Sequence, residues 1–214
     1  MLQNPAVWIF VRKGGEYMEI MEAILTRRST RKFQNRLVEE DKLETILRMG
    51  RHAPSGSNRQ STHFLVIRDP QVLDALAEMV EKEFAAMEEA PGMYPAVVSC
   101  IRAAKKGGYV FHYHAPVLVI TANQENYGNN LADCACALEN MMLAANALDL
   151  GSCWINQLKW LSASPALREY LQSLGMAEEE RVYGAVALGY AATADGLPAR
   201  TPLPRTGNPV TWIG

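Results

Sequence analysis

Arg27-Arg28-Ser29-Thr30-Arg31 places three guanidinium groups and two hydroxyls within five residues of a chain whose formal net charge is only -2. An amphipathic stretch, residues 18–26, leads into it, with Ile20, Met21, Ile24 and Leu25 at helical spacing. A helix continuing through the stretch would bring Arg27, Arg28 and Arg31 onto neighbouring faces. Planar, permanently charged forks beside hydroxyl donors suit a phosphate, which accepts bidentate hydrogen bonds. Arginines closing a helix also simply offset the negative end of its dipole. A second stretch tips the balance. Ala53-Pro54-Ser55-Gly56-Ser57-Asn58-Arg59-Gln60 follows an expected helix over residues 39–51, carrying Leu43, Ile46 and Leu47, and precedes an expected buried strand over residues 62–68. Pro54 disfavours helix at residue 53, Gly56 permits positive φ, and the Ser and Asn side chains cap or donate. A polar loop between a helix and a buried strand is a usual place for binding groups on a rigid frame.

Composition bounds what the two stretches can serve. With 214 residues, 49% apolar and 21% charged, the chain suits one sizeable core. The net charge lacks the surplus of Lys and Arg that broad nucleic-acid binding requires. Cys100, Cys134, Cys136 and Cys153 form no C-x-x-C pair and read as reduced, buried thiols of a reducing compartment. His112 and His114 would share one face of a strand, but no third ligand is signalled, so no metal is expected. The longest apolar region, residues 131–150, is interrupted by Asp133, Glu139, Asn140, Asn146 and Asp149, so no membrane span is expected and the cytoplasm is the default.

Further along, residues 1–17 show no helical period and end at Gly14-Gly15, as an N-terminal extension to a single domain over residues 18–214. They read as an arm against a partner or a leader from an upstream start. Residues 70–88 form a long amphipathic helix, and residues 90–108 an irregular region able to cover a site. Tyr109, Phe111 and His112 after it, with Met93 and Tyr94 within it, either line a substrate pocket or pack beneath a loop. Residues 116–122 and 181–190 are buried strands. Residues 130–150 are a helix apolar on nearly every face, enclosed in a core or at a subunit interface, and left through a glycine cap at Gly151. Ser164-Pro165 opens another helix. The tail carries Arg200, Arg205 and a β-prone end, residues 210–213, that needs a sheet edge to join. No G-x-G-x-x-G, P-loop or G-x-S-x-G is present.

Taken together, Arg27-Arg28-Ser29-x-Arg31-x-Phe33, then Ala53-Pro54-Ser55-Gly56-Ser57-Asn58-x-Gln60 ahead of a strand, His114-Ala115-Pro116, Gly151-Ser152-Cys153-Trp154-Ile155 and Leu188-Gly189-Tyr190 with the Pro/Arg tail resemble the nitroreductase family of FMN-dependent oxidoreductases. Only the first 17 residues lie outside the likeness. It implies an α+β fold, a mainly antiparallel sheet flanked by helices, in a domain-exchanged homodimer with FMN at the seam. On that pattern Arg27, Arg28 and Ser29 hold the phosphate and ribityl chain, and Arg31 lies near the pyrimidine edge. Pro54, Ser55, Gly56, Ser57, Asn58 and Gln60 reach the same flavin from the other subunit. Trp154, Ile155, Asn156 and Gln157 approach it, the backbone of the last three facing N5 and O4. Arg200, or else Arg205, returns to the phosphate. Hydride would pass from NADH or NADPH to flavin N5 and then, in a ping-pong cycle, to a nitroaromatic, quinone or related acceptor, with no protein nucleophile. Ser61 stands where many members have proline, and Asn156-Gln157 where some carry Glu-Gly. The competing readings are other flavin chemistry on the same fold (fragmentation of flavin to dimethylbenzimidazole, or dehalogenation of halotyrosine) and a non-catalytic flavin- or phosphate-binding module.

Overall fold

The computed structural model describes residues 18–214; the expected N-terminal extension lies outside the described residues. In chain order the elements are α1 Ile20–Thr26, α2 Glu40–Arg51, a 3-10 turn Gly56–Asn58, β1 His63–Ile67, α3 Pro70–Ala86, α4 Pro95–Lys106, β2 Val117–Gln124, α5 Asn130–Ala147, β3 Gly151–Ile155, α6 Gln157–Trp160, α7 Pro165–Ser173 and β4 Glu180–Gly189. The strands form one sheet in the order β1-β2-β4-β3, antiparallel throughout. This is the α+β architecture expected from the sequence.

Both faces of the sheet are covered, which is why β2 and β4 read as unbroken apolar runs rather than alternating ones. From β2, Leu118 and Ile120 point into a layer with Leu76, Val80 and Phe84 of α3 and Ile101 of α4. Their neighbours Val117 and Val119 point the other way, onto Leu43 and Ile46 of α2 and Leu138, Met141 and Ala145 of α5. A slip of one residue in either strand would exchange the two layers, so packing fixes the register that sets Val119 opposite Val186.

Several expectations change. Residues 90–108 are not irregular: α4 starts with Pro95 in its first turn and stops before Gly107, whose φ of 83° suits a residue without Cβ. The helix before β3 ends at Ala147 and reverses through Asp149 at φ 63°, so Gly151 is already strand rather than cap. His112 and His114 lie in a turn, with Tyr113 and His114 both at φ 57°, not on a strand. Cys136 is exposed, unlike the other three thiols. Residues 210–213 join no strand, and Trp212 and Ile213 are 90% and 95% exposed. Finally, α5 is not enclosed all round in one chain: Ala132, Cys136 and Glu139 form an exposed stripe, with Leu143 half-buried beside it.

Candidate functional site

The arginine-rich stretch is not helical. α1 stops at Thr26, and Arg27 turns extended at φ -58°, ψ 127°. From there the chain runs along edge strand β3. Ser29 bridges Ser152 in parallel, and the Thr30 amide donates to the Ser152 carbonyl at 2.8 Å. Farther on, Phe33 bridges Ala191 and the Gln34 amide donates to the Tyr190 carbonyl at 2.9 Å. The two backbones approach so closely at β3 that a Cβ on Gly151 would meet Thr30 Oγ1 at 2.6 Å and Thr30 Cβ at 2.8 Å. An extended segment displays its side chains alternately, so Arg27, Ser29 and Arg31 share one side.

That side gathers around Cys153. Burial pushes its thiol up, opposed by the positive charges of Arg31 and Arg27 and by a hydrogen bond with the Ser29 hydroxyl. Arg27 also lies 3.8 Å from Glu139 of α5. Arg28 reaches the other way, its Nη1 donating to the Thr201 carbonyl at 2.6 Å. Arg200 comes into the same corner but is committed there. It donates to the Asp149 carboxylate at 2.6 Å and to both oxygens of Asn146, whose own amide donates to the Ala23 carbonyl and the Thr26 hydroxyl. Arg205 lies on the exposed tail beyond.

Beside this cluster a hollow of about 340 Å³ opens between α4 and the end of β3, walled by Tyr109, Tyr113, Trp154, Trp160, Asn156 and Gln157. Arg31 lies on the other side of Tyr113, 6.0 Å from the centre of its ring, in a neighbouring hollow that shares this residue. A chain of hydrogen bonds stiffens the wall. Trp154 Nε1 donates to Asn156 Oδ1 at 2.8 Å, the Asn156 amide donates to Gln157 Oε1 at 3.1 Å, and Gln157 Nε2 donates to the Tyr109 hydroxyl at 2.8 Å. Tyr109 in turn donates to Cys100 Sγ at 3.1 Å. Burial, with the adjoining Cys100, holds the Tyr109 phenol well above its ordinary range, so it stays protonated. Phe111 and His112 are placed elsewhere. Phe111 is fully buried in the core, and His112 is buried against a different cleft, where burial and the neighbouring His114 push its imidazole down.

The second stretch forms a tight, strained bend. Ser57, Asn58 and Gln60 all have φ near +53°, the left-handed region that costs a residue with Cβ. Its anchor is a buried acid near the start of α5: the Gly56 amide donates to Asp133 at 3.1 Å, and the Tyr127 hydroxyl donates to the same carboxylate at 2.9 Å. The Ser55 hydroxyl accepts from the Gln60 amide at 3.0 Å and closes the bend. A hollow of about 250 Å³ beside it is lined by Pro54, Ser55, Gln60 and Asp133 among others. Sequence reading missed Asp133, Tyr127 and Tyr113; an isolated acid among alanines and leucines was the available signal.

A model of the Nitroreductase family matches residues 24–190, most of the chain and both stretches. The chain belongs to the nitroreductase family. A candidate NADH dehydrogenase/NAD(P)H nitroreductase of Archaeoglobus fulgidus is 32% identical over 172 residues, 80% of this chain and 85% of its own. Among solved structures, a Bacteroides fragilis nitroreductase with bound FMN is 36% identical, with a TM-score of 0.80, and the match covers 92% of this chain and 100% of that one. A nitroreductase of Desulfitobacterium hafniense shares the fold at 23% identity and a TM-score of 0.77, covering 93% and 100%. Within this nitroreductase-family chain, the arginine stretch, the end of β3 and the aromatic hollow are contiguous. The bend at Gly56 lies on another side of α5.

Proposed function

We propose that this chain is an FMN-dependent NAD(P)H oxidoreductase that reduces nitroaromatic, quinone or related small acceptors and works as a homodimer. The observation that carries the reading is the row of Arg27, Ser29 and Arg31 along β3, opening onto a hollow walled by aromatic rings and neutral amides. The donor set fits FMN. Two guanidinium groups and a hydroxyl on one side of an extended segment match a phosphate and a polyol, and the flat-walled hollow matches a planar ring system. Arg27 and Ser29 would hold the phosphate and ribityl chain, joined by Arg28 only if it leaves the Thr201 carbonyl, with Arg31 beside the pyrimidine edge. Arg200 lies near enough to join them only by leaving Asp149, and Arg205 is the freer alternative. Trp154, Ile155, Asn156 and Gln157 would border the ring, and residues 54–60 of a second copy would close it.

The chemistry that FMN supplies when bound is two-electron transfer, first from a nicotinamide and then to the acceptor. The chain contributes position and charge. A guanidinium at Arg31 favours negative charge on a group at contact by up to about 4 kcal/mol at an effective dielectric near 20, less with solvent access. The Asn156 backbone amide already donates to Gln157 Oε1, so it would reach a ring only by leaving that side chain. Among the described residues the hollow's wall carries no charged side chain, only the protonated Tyr109 and neutral amides, which suits uncharged aromatic acceptors.

The test is the absorption spectrum of the purified protein, before and after NADH and NADPH are added separately, followed by turnover with a quinone and a nitroarene. A flavin spectrum bleached by either nucleotide is expected. Arg27→Ala and Ser29→Ala should each weaken FMN retention by about 1.5–3 kcal/mol per charge-assisted bond. Colourless, monomeric protein that ignores added FMN would overturn the assignment, and unchanged flavin affinity in both variants would remove those residues from the site.

A further inference from the structure

The four-residue helix α6 separates two hollows. Gln157 and Trp160 face the aromatic one. Lys159 lines the other, a cavity of about 410 Å³ whose wall also includes Glu125, Ser162, Arg168, Arg181 and Tyr183. Its charges do not cancel. Arg181 meets the Glu125 carboxylate at 2.7 Å and donates to the carbonyls of Glu178 and Glu180 at 2.8 and 2.6 Å, so those two residues neutralise each other and serve the backbone. Lys159 and Arg168 have no ion pair among the described residues. The Nε of Arg168 is closed off from solvent and has no hydrogen-bond partner among the described residues. That N–H is out of reach of anything in the cavity, so a ligand there would meet the terminal nitrogens of Arg168; two like charges in one half-enclosed concavity repel unless an anion lies between them.

We propose that this cavity binds a phosphate group, held by Lys159 and Arg168. The donors match that chemistry better than a carboxylate's. Arg168 offers a planar fork, Lys159 a point charge, and Ser162 a hydroxyl. Tyr183 adds a fourth donor: its oxygen accepts from Asn130 Nδ2 at 2.6 Å, leaving its own hydrogen to give. Four donors around a concavity suit an anion with several oxygens and more than one negative charge. Inorganic phosphate and a phosphate of the dinucleotide electron donor share this chemistry. The second source rests on the oxidoreductase reading, and it is attractive because α6 carries Lys159 one turn from the residues bordering the aromatic hollow.

Two arms distinguish the sources. In phosphate-free buffer at fixed ionic strength, inorganic phosphate is titrated into the full-length protein by calorimetry, with chloride as the control. Lys159→Met and Arg168→Met should each weaken binding about tenfold, and the charge-conserving Lys159→Arg should retain it. In the second arm, KM and kcat are measured with NADPH and with NADH. A rise of about tenfold in KM for NADPH alone, at unchanged kcat, assigns the site to the 2′-phosphate; a rise for both assigns it to the diphosphate they share. Phosphate binding lost in the Met variants with neither KM altered assigns it to the free anion. If neither nucleotide is oxidised, the oxidoreductase reading fails while the calorimetry still decides the cavity. No phosphate heat above chloride and no change in either KM would overturn the proposal.

Discussion

Gly151→Ala tests the junction on which the proposed cofactor site is built. The added Cβ would stand 2.6, 2.7 and 2.8 Å from Thr30 Oγ1, Cγ2 and Cβ. The last of these is one bond from the backbone, so rotating the side chain cannot clear it. Moving that contact from 2.8 Å out to the 3.4 Å of ordinary approach requires a shift of 3.4 - 2.8, about 0.6 Å, in the segment itself. The Thr30 amide, which donates to the Ser152 carbonyl at 2.8 Å, is drawn off by the same movement. Overpacking of this kind costs about 1–3 kcal/mol, the strained hydrogen bond included. Ser29 and Arg31 flank Thr30 and must move with it, so FMN retention should fall by about tenfold or more. Urea unfolding measures the first effect and flavin fluorescence on dilution the second. Thr30→Gly removes all three clashing atoms, so the double variant should recover at least about 1 kcal/mol relative to the sum of the singles. Wild-type behaviour of Gly151→Ala in both assays, or additivity in the double variant, would refute the reasoning.

Gly56→Ala should loosen the strained bend, because its Cβ would lie 2.1 Å from Asn129 Nδ2 and 2.5 Å from the Tyr127 hydroxyl. Displacing Tyr127 breaks its bond to Asp133, at about 1–3 kcal/mol, and proteolysis should shift to residues 55–60; an unchanged digestion pattern counts against this. Tyr190→Phe addresses acid stability. The Tyr190 hydroxyl, then the Glu39 backbone, Arg36 and Lys42, hold the Glu39 carboxyl down at about 2, against slight burial. A depressed carboxyl stabilises fully above its unfolded value near 4.5 and loses that contribution as pH falls through about 2. Glu39 is 43% exposed, which reduces the contribution to about 1 kcal/mol. Wild type should therefore exceed Tyr190→Phe in Tm at pH 6 and converge with it near pH 2; a gap that persists there assigns Tyr190 to packing instead. Leu143→Lys places a charge beside the exposed stripe of α5 and should yield a monomer by sedimentation that has also lost FMN. A monomer that keeps FMN would separate the cofactor from the dimer.

The sheet and most helices were legible in the sequence because each has a local cause. Three of the four strands are apolar runs that stand out in the sequence, whereas β3 reads as the exit from a helix; α3 and α7 begin at caps whose oxygens accept from Gln71 at 2.9 Å and from Leu167 at 3.3 Å. The errors share a different cause. Nothing local ends α1 at Thr26; the following residues leave the helix because β3 offers Thr30 a backbone partner 122 residues away. The α4 segment looked irregular because Pro95 and Gly107, which bound it, were read as breakers within a loop. Phe111 and His112 were grouped with Tyr109 by adjacency, but the turn that follows sends Phe111 into the core. The candidate site was legible as residue types in two stretches, and its geometry was not, because edge pairing and reversals depend on distant partners.

Helix α5 explains why two stretches that both suit a flavin do not meet within one chain. Asp133 anchors the bend at Gly56, while Glu139 and Asn146 face α1 and Arg27. At about 100° per residue, position 139 lies about 120° around the helix from 133, and position 146 about 140° on the same side. Between them, about 60 to 100° from Asp133, fall the exposed Cys136 and Ala132 and the half-buried Leu143. Buried at Asp133 and Asn146 and bare between them at Ala132 and Cys136, the helix presents the face a second copy would cover in the proposed dimer. A second copy packed there about a two-fold axis would set each bend against the partner's arginines, completing two equivalent sites. The proposed homodimer would make cofactor retention and association one equilibrium: whatever weakens the seam should release the flavin from both sites together.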